Sequence, residues 1–480
     1  MLPDRASRVN IRDGRPIQRA SPTPVYFMPA PVLPLPLTAF ERYMLDDDRA
    51  DYPMTYPMEL RFSGEICRPA LEAAIDETLG RHPLLCARIE YSKHCGLCFV
   101  QSPGLRPPLD WDLEGVPLRF PNGRAIDLTR EAGIRLWVRA HDATATLVVQ
   151  FHHACCDGVG AIRFIGDLLA AYAIRTAAAG PRPTSVPVEP EHLRTRGKFN
   201  VEYPEPVGPA RVIWSTLCEA GKWIVRRPVP LAIPGPLERQ ATEDFGDAEV
   251  ASHRFDEHQT SLLRQIASRS TATVNDLLLR DLFLTIREWN ERFQPGGSQS
   301  WVQINMPQNL RARSDDTMPA ANKMSYAFLT RRARDLKDPK VLLEGIRLET
   351  KAIKEWSLGL YFIAGLSVVQ MVPGLCRRLA RGKRCFATTV LSNLGDFGRH
   401  LGTAFPKDQG RVVAGNIRLD GCWIVPPVRP MTRAAMLALT YANCLNLVVH
   451  TDRRYLPPGA TGELLTRYVE KVERTIRQTA

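Results

Sequence analysis

Eight consecutive residues, Phe151-His152-His153-Ala154-Cys155-Cys156-Asp157-Gly158, bring two imidazoles, two thiols and a carboxylate to one short stretch. Histidine titrates near neutrality, so it can accept a proton and return it within one catalytic cycle. An apolar, β-branched stretch, Thr146–Gln150, precedes the run. After it, Ile162, Ile165, Leu168, Leu169 and Tyr172 recur at helical spacing, which predicts a helix over Gly160–Ala173. Side chains alternate faces along a strand, so His152 and His153 cannot both enter one cavity. Gly158 is read as a sharp strand exit, in a backbone conformation that a Cβ would penalise. Three other readings apply to the same residues. Adjacent histidines can simply pack. They can ligate a metal with Cys155, Cys156 and Asp157, although consecutive ligands splay apart and zinc ligands are usually spaced by two residues or more. Cys155 or Cys156 could also be a nucleophile activated by a histidine.

In His152-His153-xxx-Asp157-Gly158 the chain resembles the chloramphenicol-acetyltransferase-like acyltransferases, whose signature is HHxxxDG. That superfamily includes peptide-synthetase condensation domains, plant acyltransferases of the BAHD type, wax-ester/diacylglycerol synthases and polyketide-associated acyltransferases. Three further segments agree with it in order and spacing. Leu71–Leu79 with Arg81-His82-Pro83-Leu84-Leu85 is similar to its first helix and "RHP-L" turn. Thr273-Val274-Asn275-Asp276-Leu277 is similar to its "TVND" helix start, and Ser392-Asn393-Leu394-Gly395 to its "SNLG" segment. The resemblance implies an α/β fold of two lobes around a central active-site tunnel. It implies His153 as general base, with His152, Asp157 and Gly158 structural. Asp157 would brace the loop through a salt bridge, for which Arg311 is the partner expected here. Ser392 or Asn393 would hold the oxyanion at the donor site. Asp396-Phe397-Gly398 begins like the plant enzymes' DFGWG, but Arg399 and His400 break that motif, so it is not carried over.

Such chemistry needs few parts. A thioester is already activated, since its thiol leaves with a pKa of about 8.5. No cofactor, metal or covalent nucleophile is expected, and acyl-coenzyme A or acyl-pantetheine is the substrate. A positioned base contributes typically ~10²–10⁴-fold and oxyanion donors ~10²–10³-fold. A dry tunnel would keep water from the thioester.

The composition is that of a globular protein: 480 residues, 44% apolar and 24% charged, enough for two domains each with a core. Eleven cysteines without framework spacing suggest reduced thiols and a cytoplasmic location. His94-Cys95-xx-Cys98 is half of a zinc-like pattern and is read as a hairpin with buried thiols. The net charge of +12 suits coenzyme A phosphates, an acidic acyl carrier protein or an anionic membrane surface. Nucleic acid is not expected, because no nucleic-acid-binding motif accompanies the charge.

Residues 1–35, interrupted at Pro29, Pro31 and Pro34, read as an irregular lead-in rather than a signal or anchor. Residues 36–180 read as the first lobe, with Pro69 opening a helix that Gly80 ends. Residues 181–245 read as a proline-rich crossover linker holding a helix over 210–227, whose tryptophans and arginines suit packing or peripheral membrane contact. Residues 246–480 read as the second lobe. It holds a Thr273–Asp276 capping box, a strand at Trp301–Met306, a hairpin of Met436–Tyr441 and Cys444–Thr451, and a final helix over Thr461–Gln478. The apolar window Trp356–Leu375 is too interrupted for a membrane span and is followed by Arg377, Arg378, Arg381, Lys383 and Arg384. It is read as a helix lining an acyl tunnel, or as an interfacial helix with its basic end on anionic lipid. The expectation is a monomeric acyltransferase, moving an acyl group from coenzyme A to a hydroxyl or amine. Carrier-protein condensation, wax-ester/diacylglycerol synthesis and a non-catalytic binding module are the alternatives.

Overall fold

A computed structural model describes residues 32–120, 123–177, 182–199, 226–235 and 249–477. The first half forms α1 (Ala39–Asp47), β1 (Thr55–Ser63), α2 (Arg68–Arg81), β2 (Arg88–Ser92), β3 (Gly96–Val100), β4 (Leu109–Leu113), β5 (Ile134–His141), β6 (Thr144–His152) and α3 (Gly158–Thr176). The second half continues with β7 (Glu249–Arg254), α4 (Glu257–Arg269), α5 (Val274–Phe293), β8 (Trp301–Asn309), β9 (Met324–Arg332), α6 (Pro339–Glu355), α7 (Gly359–Gln370) and α8 (Leu375–Ala380). It closes with β10 (Thr389–Asp396), α9 (Phe397–His400), β11 (Arg411–Ala414), β12 (Ile417–Ile424), β13 (Ala434–Tyr441), β14 (Cys444–Thr451) and α10 (Ala460–Arg477).

Two large sheets result. The first runs Lys407–Asp408, β11, β12, β1, β6, β5, β4, and the second runs β9, β8, β10, β13, β14, β7. In the first, β6 lies between β1 and β5, with Thr55 opposite His152. Its residues Leu147–His152 are all buried, so the strand is covered on both faces. In the second, Ala442 and Asn443 take φ of 46° and 62° between β13 and β14, the left-handed pair that a two-residue hairpin needs. Each sheet has its own apolar core, one around Phe151, Phe164 and Tyr172 and one around Phe283, Trp289 and Tyr468.

Several local expectations hold. Thr273 Oγ1 accepts from the Asp276 amide at 3.2 Å while the Asp276 carboxylate accepts from the Thr273 amide at 2.7 Å, starting α5. Others need correction. Gly80 lies inside α2, which runs on to Arg81 with His82 as its cap. Residues 32–35 are not an irregular lead-in: Val32 and Leu35 are buried, and Leu35–Pro36 pairs with Cys98–Phe99. In the β2–β3 hairpin only Cys98 is buried, whereas Cys95 is half-buried, with the two sulfurs 3.0 Å apart.

The boundary at 246 does not divide the sheets. β12 leaves the second half to pair with β1, matching Ile424 to Met58 and Trp423 to Glu59, so 407–424 belong to the first sheet. The free edge of β1 and the buried side chains Ile417, Leu419, Cys422 and Ile424 are the reason. Parts of the expected linker are also structural, since Thr184–Ser185 pairs with Thr403–Ala404 and Leu231 and Ala232 join the second core. The helix expected over 210–227 lies outside the described residues except for its last two positions.

Candidate active site

β6 ends at His152, and the two histidines then part. His152 is fully buried, its Nδ1 accepting from the Ala154 amide at 3.0 Å and its Nε2 lying 3.7 Å from Asp48. An accepting Nδ1 fixes the proton on Nε2, toward Asp48. His153 turns the other way and lines a cavity of about 880 Å³ between the lobes. Its main chain is pinned on both sides: its amide donates to Met54 at 2.7 Å and its carbonyl accepts from the Asn322 side chain at 2.7 Å. Nδ1 is buried with no hydrogen-bond partner among the described residues. The ring packs against Tyr56 at 5.0 Å. Burial holds the imidazole below the ordinary histidine value, against the opposing pull of the Asp157 charge.

Asp157 caps α3 and has little capacity left for a ligand. One oxygen accepts from the Gly160 amide at 2.9 Å, and the other from Arg311 at 2.8 Å and the Lys323 amide at 2.9 Å. Although burial alone would raise its pKa, Arg311 and these amides hold the carboxyl below the usual range. Arg311 also donates to Ala321 at 2.8 Å, so the expected pair is formed and it joins the lobes. Gly158 is needed for a different reason from the one expected. Its φ is not left-handed, but a Cβ there would sit 3.0 Å from Leu394 of β10, so the SNLG segment lies directly against the motif. Gly160 is under a stricter demand, because its Cβ would lie 2.8 Å from the Ala321 carbonyl oxygen.

Ser392 and Asn393 both line the cavity. The Asn393 amide is engaged, donating to Asn275 at 3.1 Å and accepting from Gly395 at 2.9 Å. The Ser392 side chain is engaged by no described residue. Cys155 and Cys156 are fully buried, which raises both thiols, Cys156 to about 12, so a thiolate nucleophile does not fit here. Among the described residues no three His, Cys, Asp or Glu side chains form a metal-ligating group. Away from His153 the cavity wall is aromatic: Phe362 of α7 meets Tyr43 at 5.7 Å, Tyr326 at 5.3 Å and Phe328 at 5.8 Å.

Sequence reasoning missed the groups that hold the motif from the second half. The Asn322 side chain also donates to Ala154 at 2.9 Å. His82, from the RHP-L turn, is buried between Asp167 of α3 at 3.0 Å and the Ala320 amide at 2.8 Å, which fixes the segment bearing Asn322. His400, one of the two residues that break the DFGWG pattern, lines the cavity and contacts the Leu394 carbonyl at 3.0 Å. Only His82 carried a sequence signal; the Ala320–Lys323 segment has no residue pattern that marks it.

No protein-family model matches the chain. The uncharacterised Mycobacterium tuberculosis protein Rv2305 is 26% identical over 383 residues, 75% of this chain and 83% of that protein. CymA of Salinispora arenicola, a probable non-canonical nonribosomal peptide synthetase, is 31% identical over 140 residues, 28% of this chain and 2% of that one. Among solved structures, the trichothecene 15-O-acetyltransferase TRI3 of Fusarium sporotrichioides has a TM-score of 0.65 at 9% identity, covering 92% of this chain and 95% of that one. The starter condensation domain of rhizomide synthetase has a TM-score of 0.64 at 13% identity, covering 92% and 94%. Polyketide synthase associated protein 5 of Mycobacterium tuberculosis has a TM-score of 0.58 at 16% identity, covering 93% and 98%. This chain has the chloramphenicol-acetyltransferase-like fold. The condensation-domain/acetyltransferase architecture accounts for the two lobes, and the cavity bearing His153 lies where they meet.

Proposed function

We propose that this protein transfers an acyl group from a thioester, acyl-coenzyme A, to a hydroxyl or amine, with His153 as general base. The observation that carries the reading is the state of His153. Its ring lines the inter-lobe cavity, its main chain is clamped from both lobes, and burial favours its neutral form. With Nδ1 buried, Nε2 is the nitrogen available to the acceptor. His153 takes the acceptor's proton as its oxygen or nitrogen attacks the thioester carbon. The carbonyl oxygen becomes an oxyanion, for which the Ser392 hydroxyl is the donor in reach of the cavity. Collapse breaks the C–S bond, and His153 returns the proton to the departing thiolate, so atoms and charge balance without a cofactor.

The coenzyme A donor is supported by a fold neighbour, the rhizomide condensation domain, which was solved with C8-CoA and an aminoacyl thioester analogue. The likeness to nonribosomal peptide synthetases favours a second reading, in which the thioester is on an acyl carrier protein. Release of free thiol from a panel of acyl-coenzyme A donors and acceptors tests the first reading, with His153→Ala as the control. The variant should lose about 10²–10⁴-fold in kcat with its folding intact. Equal turnover by both proteins removes His153 from its role, and transfer from a loaded carrier but never from coenzyme A decides for the second reading.

A further inference from the structure

We propose that the corner formed by α7 and α8 is a docking surface for an anionic lipid bilayer, seating the cavity wall against the membrane. Val368, Met371, Val372 and Leu379 are 62%, 80%, 53% and 48% exposed. These are four of the eleven exposed large apolar side chains among the described residues, gathered between positions 368 and 379. Isolated exposed apolar residues are ordinary, but a contiguous group marks an interaction surface. Pro373 and the left-handed Gly374, φ 74°, form the exposed apex between the two helices.

Charge identifies the occupant. Arg377, Arg378 and Lys383 are exposed beside these apolar tips, and none forms an ion pair with a described carboxylate. Apolar side chains that enter the acyl region, ringed by cations at headgroup level, match an anionic membrane surface. An acidic protein would be met by the cations alone and leaves the apolar tips unexplained. No single described helix is long and apolar enough to cross a bilayer, and α6 and α7 would qualify only together, as a pair bent by 62°; the contact proposed is at the interface. Helices α7 and α8 also line the cavity through Phe362, Leu366, Val369 and Ala380, and Leu379, one of the exposed tips, lines it too. A hydrophobic substrate dissolved in the membrane would therefore meet the cavity wall without crossing water. The surface stands independently of the acyl-transfer reading.

The test is co-sedimentation of the full-length protein with vesicles of phosphatidylcholine, with and without a quarter of phosphatidylglycerol. Partition to the anionic vesicles should exceed that to neutral ones by about 25-fold or more and fall as salt rises. Each cation contributes roughly fivefold, so Arg377→Gln with Arg378→Gln should weaken binding roughly 25-fold. Met371→Ser with Val372→Ser should weaken it as well, although its charge is unchanged. None of these four residues lines the cavity, and His153→Ala should bind like the parent, so failure here is distinct from failure of the catalytic reading. Equal binding to neutral and anionic vesicles overturns the proposal, as does indifference to both pairs of substitutions. A dimer that Met371→Ser/Val372→Ser dissociates, or an acidic carrier protein lost with the two arginines while vesicle binding persists, also overturns it.

Discussion

His153 sits in surroundings that favour its neutral form, so it retains base character at pH values where an exposed histidine would be protonated. Burial lowers its pKa from the ordinary 6.5, and Asp157, which would raise it, is largely neutralised by Arg311. The expected kcat/KM profile rises with pH through a midpoint below 6.5. A midpoint above that value would mean that the group titrating is another. Asp157 has the opposite sign. Its carboxyl is held below the ordinary 3.8, so its stabilising effect is complete above that value and lost as pH falls through the lowered pKa. Asp157→Ala leaves Arg311 unpaired and the Gly160 and Lys323 amides without their acceptor. A cost of about 3–5 kcal/mol is expected, read by urea unfolding. An effect below about 1 kcal/mol would place the pair among solvent-screened surface bridges.

Elements explain why some of the site was readable from sequence and some was not. The strand-to-helix switch at His152–Gly158 follows from local periodicity and a local cap, and both are written in adjacent residues. The demand on Gly160 is nonlocal, because it comes from the backbone of Ala321 on the other lobe. The same holds for Asn322 and Lys323, whose partners are about 170 residues away in sequence. Helix glycines make the distinction measurable. Gly80 of α2 has ordinary helical backbone and nothing within 4 Å of a Cβ, so Gly80→Ala should stabilise the protein by roughly 0.5–1 kcal/mol. Gly160→Ala should instead destabilise it by about 1–3 kcal/mol, since backbone must move to admit the methyl. Thermal unfolding of the two variants should shift in opposite directions. Two shifts of the same sign would contradict the close approach of α3 to Ala321.

At the scale of the molecule, the two large sheets of the described residues share a strand's allegiance. β12 belongs by sequence to the second half and by pairing to the first, and this could not be read from composition or from a division into halves. Tyr441 secures the crossing. It stands on β13 of the second sheet, buried, and its hydroxyl donates to the Leu419 carbonyl of β12 at 2.8 Å and accepts from the Val412 amide of β11 at 2.9 Å. Tyr441→Phe removes a single oxygen and leaves the packing shape, so its effect isolates those two bonds. The buried carbonyl and amide left behind cost about 1–3 kcal/mol each. If the crossing strand makes the lobes one cooperative unit, amides of β5 in the first sheet and of β14 in the second should lose hydrogen-exchange protection together in the variant. Protection lost in the first sheet alone would show that β12 is an accessory edge strand and that the lobes open separately. In that case the clamp on His153, drawn from both lobes, would loosen with the first lobe while the second stayed folded.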